Sequence, residues 1–337
     1  MKYKNGLIIG KFMPPHKGHE FLFRFGKQNC QELTIVVDCI KNQTISPEIR
    51  KKWIDEMGMQ VNVIALKEFM PQHPNETKDF WQIWTNTLKN IVPNVDVLIA
   101  SEDYGYELSR NLNCHFILLD MSRNIIPISA TQIRENPLKN WNYIVESARG
   151  YFMKKICLIG PESTGKSTLG KKIAQQLNTI YIPEYAENLI KKQNGNFYEK
   201  NIKEVALMQI QIEKSLERMV HKYMICDSDI ITTMVWAETL FNYVPKLLSE
   251  IAKEQKYDIT FLFYPDTPWV DDIHRKVTSS NEQEFRINMF HKMEQKLKEY
   301  QRPYEVIMGN YQQKEDKMIQ KIEQVFENKN TISLKIK

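Results

Sequence analysis

The sequence predicts an α/β protein built as two parallel-sheet domains in tandem. Three observations carry this. The chain has 337 residues, room for about two domains at roughly 150 residues each. Two segments share one grammar, a β-rich run, a glycine-containing turn and then a helical pattern: GLIIGKFMPPHKGHEFLFRFGKQ and KKICLIGPESTGKSTLGKKIAQQL. Short Val/Ile/Leu-rich runs alternate with amphipathic helical patterns, as buried parallel strands alternate with crossover helices.

In chain order, LIIG opens the first domain as a strand, and the turn after it leads into a helix. LTIVVDC, VNVIAL, VDVLIAS and CHFILLD read as further strands. Between them lie helical patterns such as PEIRKKWIDEMG, with Pro near its start and Gly at its end, and KDFWQIWTNTLKNI. NWNYIVESARGYFM reads as a closing helix and connector, which puts the boundary near residue 150. Domains over 1–150 and 151–337 follow. The second domain opens with KKICLI and continues with strands in TIYIPE, YMICDSD, YDITFLFYPD and YEVIMG. Long helices such as KEVALMQIQIEKSLERMVHKY separate them.

Composition excludes several classes. Lys and Arg number 46 against 41 Asp and Glu, a net charge of +5. The charge is spread along the chain and suits anionic small ligands as well as nucleic acid. No apolar run approaches the ~18 residues of a transmembrane helix, and the N-terminus lacks a signal-peptide core. Membrane insertion is therefore not expected. The cysteines Cys30, Cys39, Cys114, Cys157 and Cys226 form no CxxC pair. They read as reduced thiols of a cytoplasmic protein rather than as a disulfide or zinc framework.

The first chemical constellation follows LIIG. His16 and His19 lie three apart where a helix begins, and free N–H groups and the helix dipole there favour phosphate. Two imidazoles add donors, Gly18 lets a phosphate approach the backbone, and Pro14 and Pro15 stiffen the turn. Taken alone, the pair could be surface histidines or two thirds of a zinc site, although no third ligand lies nearby. A second motif, ISATQIR after CHFILLD, places Ser129, Thr131 and Arg134 at another helix start, where Arg supplies a bidentate fork for phosphate. By itself ISATQIRENP is a capped helix with Ser129 or Thr131 as its N-cap.

The second constellation, Gly160–Thr168, matches GxxxxGK[ST] in full between a strand and a helix. Gly160, Glu162, Ser163, Thr164, Gly165 and Thr168 would wrap the phosphates of ATP. Lys166 would reach the β/γ oxygens, and the Ser167 hydroxyl would hold Mg²⁺. Asp227 and Asp229 end the strand YMIC, where a magnesium ligand of the Walker B kind belongs. Glu184 ends another predicted strand and suits either an acceptor hydroxyl or a helix N-cap. Arg275 and Arg286 lie in a polar stretch that suits a lid over phosphates or a solvated surface.

GKFMPPHKGH and ISATQIR together resemble the HxGH nucleotidyltransferase superfamily, whose members transfer AMP or CMP to a phosphate or related acceptor and release pyrophosphate. Ala130 stands where that pattern has a second Ser. With a Walker A domain following, the order resembles the NadR-type bifunctional proteins. KDFWQIW, SEDYG, PEYAE, DSDIITT and TPWVDD carry the resemblance over nearly the whole chain, although PEYAEN lacks the Arg common after that strand. The resemblance implies a Rossmann-like nucleotidyltransferase followed by a P-loop ribosylnicotinamide kinase. The kinase would phosphorylate nicotinamide riboside, and the first domain would join AMP from ATP to nicotinamide mononucleotide, giving NAD. Lys11, His16, His19 and Arg134 would position the ATP phosphates. Gly10, Phe12, Met13, Gly18, Ser101, Glu102, Ile128, Ser129 and Thr131 would line the ATP and NAD site. Trp81 or Trp84, each equally readable as core, would stack on the cationic nicotinamide ring. Arg275 would join the second ATP site, with Lys166, Glu184 and Asp227 catalytic there. Enteric relatives add an N-terminal helix-turn-helix. With His16 so early, no DNA binding by that route is expected, and assembly into a homo-oligomer is left open. Two alternatives remain: another adenylyltransferase–kinase fusion, and a non-enzymatic sensor of NAD or ATP.

Overall fold

The computed structural model describes residues 3–269 and 281–326. Its contacts divide the chain into two compact units, Met1–Phe152 and Met153–Lys337.

The first unit runs β1 (Tyr3–Gly10), α1 (Lys17–Asn29), β2 (Cys30–Val37), α2 (Pro47–Asp55), β3 (Asn62–Ala65), α3 (Phe80–Ile91), β4 (Val97–Ala100), α4 (Tyr104–Leu112), β5 (His115–Leu118), α5 (Ala130–Glu135) and α6 (Glu146–Phe152). All strand pairs are parallel, in the order β3-β2-β1-β4-β5. The two-residue period of the strands sorts their side chains between two cores. Leu7, Ile9, Val36 and Leu98 pack with Trp84, Leu88 and Leu108, whereas Ile8, Ile35, Val37 and Ile99 pack with Leu22, Phe23 and Ile54. Burial on both faces explains why these strands are continuously apolar. Local chemistry sets the helix ends: Ser46 caps α2 by accepting the Ile49 N–H, with Pro47 in the first turn, and Asn113 ends α4 in the left-handed region.

The second unit runs β6 (Lys154–Ile159), α7 (Lys166–Gln176), β7 (Ile180–Ile182), α8 (Tyr185–Lys192), α9 (Asn201–Leu216), β8 (Tyr223–Asp227), α10 (Ile230–Phe241), α11 (Lys246–Glu254), β9 (Ile259–Phe263), α12 (Glu282–Glu299), β10 (Tyr304–Ile307) and α13 (Tyr311–Phe326). This sheet is also parallel, in the order β10-β9-β6-β8-β7. Cys157 and Cys226 are in register on β6 and β8, and both are buried.

Each sheet reverses its strand order around its first strand: β1 lies between β2 and β4, and β6 between β8 and β9. Ligands of open parallel sheets sit at the carboxyl ends of the strands at such a reversal. Both glycine turns emerge there, at Gly10 and Gly160. Among the described residues, no helix is long and apolar enough to cross a membrane.

Candidate functional site

In the first unit a cleft of about 980 Å³ opens over the carboxyl ends of β1, β2 and β4. Its floor is the turn between β1 and α1. His16 occupies the N-cap of α1 with extended backbone, and its N–H donates to His19 Nδ1 at 3.3 Å. The two rings stack at 3.6 Å, and Phe12 meets His19 edge-on at 4.9 Å. Burial, reinforced by the nearby Arg123 guanidinium, pulls the His16 pKa down to about 3. Burial first, then His16 and Arg123, hold His19 well below the usual range. Both rings are therefore neutral near pH 7. Because His19 Nδ1 accepts a hydrogen bond, its neutral tautomer carries the proton on Nε2. The ring then offers a fixed N–H donor without a charge that would be costly to bury.

Two arginines hold this turn. Arg134 donates to the Met13 carbonyl and, at 3.1 Å, to Thr131 Oγ1. Arg50, fully buried, donates to the carbonyls of Lys11 and Ser46 and to Gln43 Oε1. Gly18 also meets a packing constraint. A Cβ there would lie 3.0 Å from the His16 ring, so its bareness makes room for the imidazole, and Gly18 does not line the cleft.

Of the other expected residues, Gly10, Lys11, Phe12, Met13, Ser101, Glu102, Ser129 and Thr131 line the cleft. Ile128 does not: it is 3% exposed and belongs to the core. Ser129 caps α5 by accepting the Gln132 N–H. Trp81 and Trp84 both reach the cleft wall but differ in kind. Trp84 is buried in the core with its Nε1–H donating to the Pro71 carbonyl at 2.9 Å, whereas Trp81 is only partly buried on the same helix. A stacking surface is available at Trp81.

Among the polar residues of this cleft that sequence reading missed are Asp38, Gln72 and Tyr104. Asp38, just past β2, is 4% exposed, and one of its oxygens accepts from Gln72 Nε2 at 2.8 Å while Oδ1 has no partner. Burial pushes its pKa up, against Gln72, Lys11 and Arg50, which pull it down. Tyr104 donates to the Ile9 carbonyl at 2.9 Å. The signal for Asp38 was present: an acid ending the apolar run LTIVV falls at the carboxyl edge of the sheet.

In the second unit the Walker A residues form the loop between β6 and α7. At Gly160 φ is +147° and a Cβ would lie 2.7 Å from the Phe263 carbonyl oxygen, which confines the position to glycine. Ser167 Oγ donates to Asp227 Oδ2 at 2.5 Å, and the Tyr181 hydroxyl donates to the same oxygen at 2.5 Å. Asp227 Oδ1 is buried without a partner. A serine hydroxyl beside a carboxylate with an unused buried oxygen is a donor set that fits Mg²⁺. Lys166 Nζ donates to the Pro161 carbonyl at 2.7 Å.

Three expectations for this unit change. Asp229 differs from Asp227 in having a local duty: its Oδ1 caps α10 by accepting the Thr232 N–H at 2.9 Å and the Thr232 hydroxyl, while its Oδ2 is buried without a partner. Arg302, Cys157 and Glu213 lie near it. Residues two apart on an extended chain would share a face, but the left-handed backbone at Ser228, with φ at +78°, ends the strand between the two acids and carries Asp229 into the helix cap. Arg286 is no lid residue: it is 2% exposed and donates to the carbonyls of Thr267 and Ser163. Glu184 stands at the N-cap position of α8, yet its side chain makes no capping bond. Arg275 lies outside the described residues.

A family model described as an AAA domain matches residues 155–314. The chain is 25% identical over 296 residues to the Trifunctional NAD biosynthesis/regulator protein NadR of Escherichia coli, covering 82% of this chain and 72% of that protein. It is 26% identical over 164 residues to the nicotinamide-nucleotide adenylyltransferase of Thermococcus onnurineus, 45% of this chain and 83% of that protein. In fold it is similar to a crystal structure of NadR protein in complex with NR, with a TM-score of 0.77 at 20% identity over 99% of both chains. A crystal structure of NadR protein in complex with NAD and AMP-PNP gives 0.75 over 98% of both.

Proposed function

We propose that this chain, a NadR-type protein, makes NAD in two ATP-dependent steps, one in each unit. The second unit phosphorylates nicotinamide riboside, and the first transfers AMP from ATP to the resulting mononucleotide, releasing pyrophosphate. The observation that carries this reading is the presence of two separate phosphate-binding turns, each at the carboxyl end of its own parallel sheet.

In the first unit the α-phosphorus of ATP is attacked by a phosphate oxygen of the mononucleotide while pyrophosphate leaves. No side chain need be adenylylated, so the residues act by positioning and by stabilising charge. His16 and His19, neutral and stacked at the helix start, suit donation to the leaving phosphates as charge grows there. Lys11 and Arg134 supply the positive charge, and the partly buried face of Trp81 suits the cationic pyridinium ring. The uncommitted Oδ1 of Asp38 is available to a donor on the acceptor nucleotide.

In the second unit Lys166 would leave the Pro161 carbonyl for the β/γ-phosphate oxygens. Ser167 and Asp227 would hold Mg²⁺, which when bound neutralises charge on those oxygens. Glu184, at the start of α8, would orient the riboside hydroxyl. Both reactions use ATP, which fits a cytoplasmic enzyme.

The test is direct. Purified protein is incubated with ATP, Mg²⁺ and nicotinamide riboside, and products are separated over time. The mononucleotide should appear first and NAD with pyrophosphate after it. Absence of mononucleotide would reject the kinase assignment, and mononucleotide without NAD would reject the first.

A further inference from the structure

The phosphate loop of the second unit is gripped from behind by two buried cations that no catalytic step uses. Lys314, on α13, is 1% exposed. Its Nζ reaches the Thr164 carbonyl at 3.3 Å, the Tyr264 carbonyl at 3.4 Å and Asp266 Oδ1 at 2.7 Å. Those three partners use all three donors of the ammonium group. Asp266 is itself fixed, since its Oδ2 accepts the Gly309 N–H at 2.6 Å. One residue earlier in the loop, the Ser163 carbonyl accepts from Thr267 Oγ1 at 2.6 Å and Arg286 Nη2 at 3.3 Å.

Burying an ammonium group is expensive unless it is fully paired. This one is paired to a backbone whose orientation matters for binding. In a trans peptide unit the C=O of one residue and the N–H of the next point in opposite directions. Holding the Ser163 carbonyl outward therefore turns the Thr164 N–H the other way, and holding the Thr164 carbonyl does the same for the Gly165 N–H. These are N–H groups of the kind that cradle phosphate in such a loop.

We propose that Lys314 is a positioning residue for nucleotide binding: with Arg286 and Thr267 it fixes the peptide planes of Ser163 and Thr164 so that the loop's N–H groups face the phosphates before ATP arrives. The inference rests on the kinase reading of this unit. Lys314 touches no substrate. It acts through the loop, and its effect falls on ATP rather than on the second substrate.

The experiment uses the full-length chain with Lys314→Met, which keeps the stem and removes the donors, and Lys314→Arg, which restores donors. ATP affinity is measured by calorimetry without riboside, and the KM values for ATP and riboside by initial rates. Adenylyl transfer by the other unit reports on intact protein in the same sample. Lys314→Met should weaken ATP binding and raise the ATP KM about tenfold or more, leaving the riboside KM unchanged, as expected for removing a preorganised set of donors. Lys314→Arg should recover most of that loss. Loss of folded protein alone would lower the apparent kcat and leave the ATP constants alone. Wild-type ATP affinity in folded Lys314→Met protein would overturn the proposal. Should that variant fail to fold, Thr267→Val removes one donor to the Ser163 carbonyl. A several-fold rise in the ATP Kd is then expected, and an unchanged Kd overturns the proposal. Absence of riboside phosphorylation by the wild type would defeat the kinase reading instead, while the ATP-binding comparison would still decide the role of Lys314.

Discussion

The depressed pKa of His16 makes a quantitative statement about stability. The unfolded chain titrates this ring near 6.5, whereas the folded chain keeps it neutral down to about pH 3. Between those values the unfolded state binds a proton that the folded state does not, so stability rises with pH across that window. The contribution is intact above about 6.5 and is lost as pH falls toward 3. His16 is 6% exposed, so solvent screening removes little of the effect. At pH 5, 1.5 units below the unfolded value, the loss is of the order of 2 kcal/mol at 1.36 kcal/mol per unit. The perturbation is His16→Asn, which keeps a residue suited to the N-cap and cannot titrate. Unfolding free energies of the wild type and the variant are compared at pH 8 and pH 5. The difference between the two proteins should shift by about 2 kcal/mol in favour of the variant at the lower pH. The ring-proton NMR signal absent from the variant should show no titration between pH 8 and pH 5. A midpoint near 6.5 for that signal, or a difference in stability that is the same at both pH values, would refute the reasoning.

The remaining predictions divide by unit. Lys166→Ala should abolish riboside phosphorylation and spare adenylyl transfer from supplied mononucleotide, measured by separating the two products; retained kinase activity would remove Lys166 from the site. His19→Ala should slow adenylyl transfer by about 10²–10³-fold, the typical cost of losing one preorganised donor, and leave the kinase untouched. Near-normal NAD output from that variant would reject the role. Trp84→Ala should cost about 3–5 kcal/mol of stability as a core truncation that also orphans the Pro71 carbonyl. Trp81→Ala should instead raise the mononucleotide KM while the ATP KM holds. An unchanged mononucleotide KM would show that Trp81 is only a wall of the cleft.

The amino-acid sequence by itself determined the class of fold and the place of its chemistry. Apolar runs such as LIIG, TIVV and KKICLI are continuous because strands of a parallel sheet are covered on both faces. The glycine turns after Gly10 and before Lys166 carry signals that are local in the chain, since spacing within a dozen residues puts the donors around one phosphate. Only the tertiary structure decided what distant residues do. Arg286 lies 123 residues from Ser163 and Lys314 150 from Thr164, and nothing in the local pattern of either marks it as a buried strut. Arg50 reads as one more charge on the amphipathic helix PEIRKKWIDEMG, yet it is fully buried beneath the Lys11 carbonyl. Trp81 and Trp84 share a helix and an expectation, and packing alone separates them. Asp227 and Asp229 look interchangeable in DSD, until one backbone step turns the second into a helix cap. The physical reason is common to all of these: a buried polar group must find its partners, and they are brought to it by the fold rather than by its neighbours in sequence.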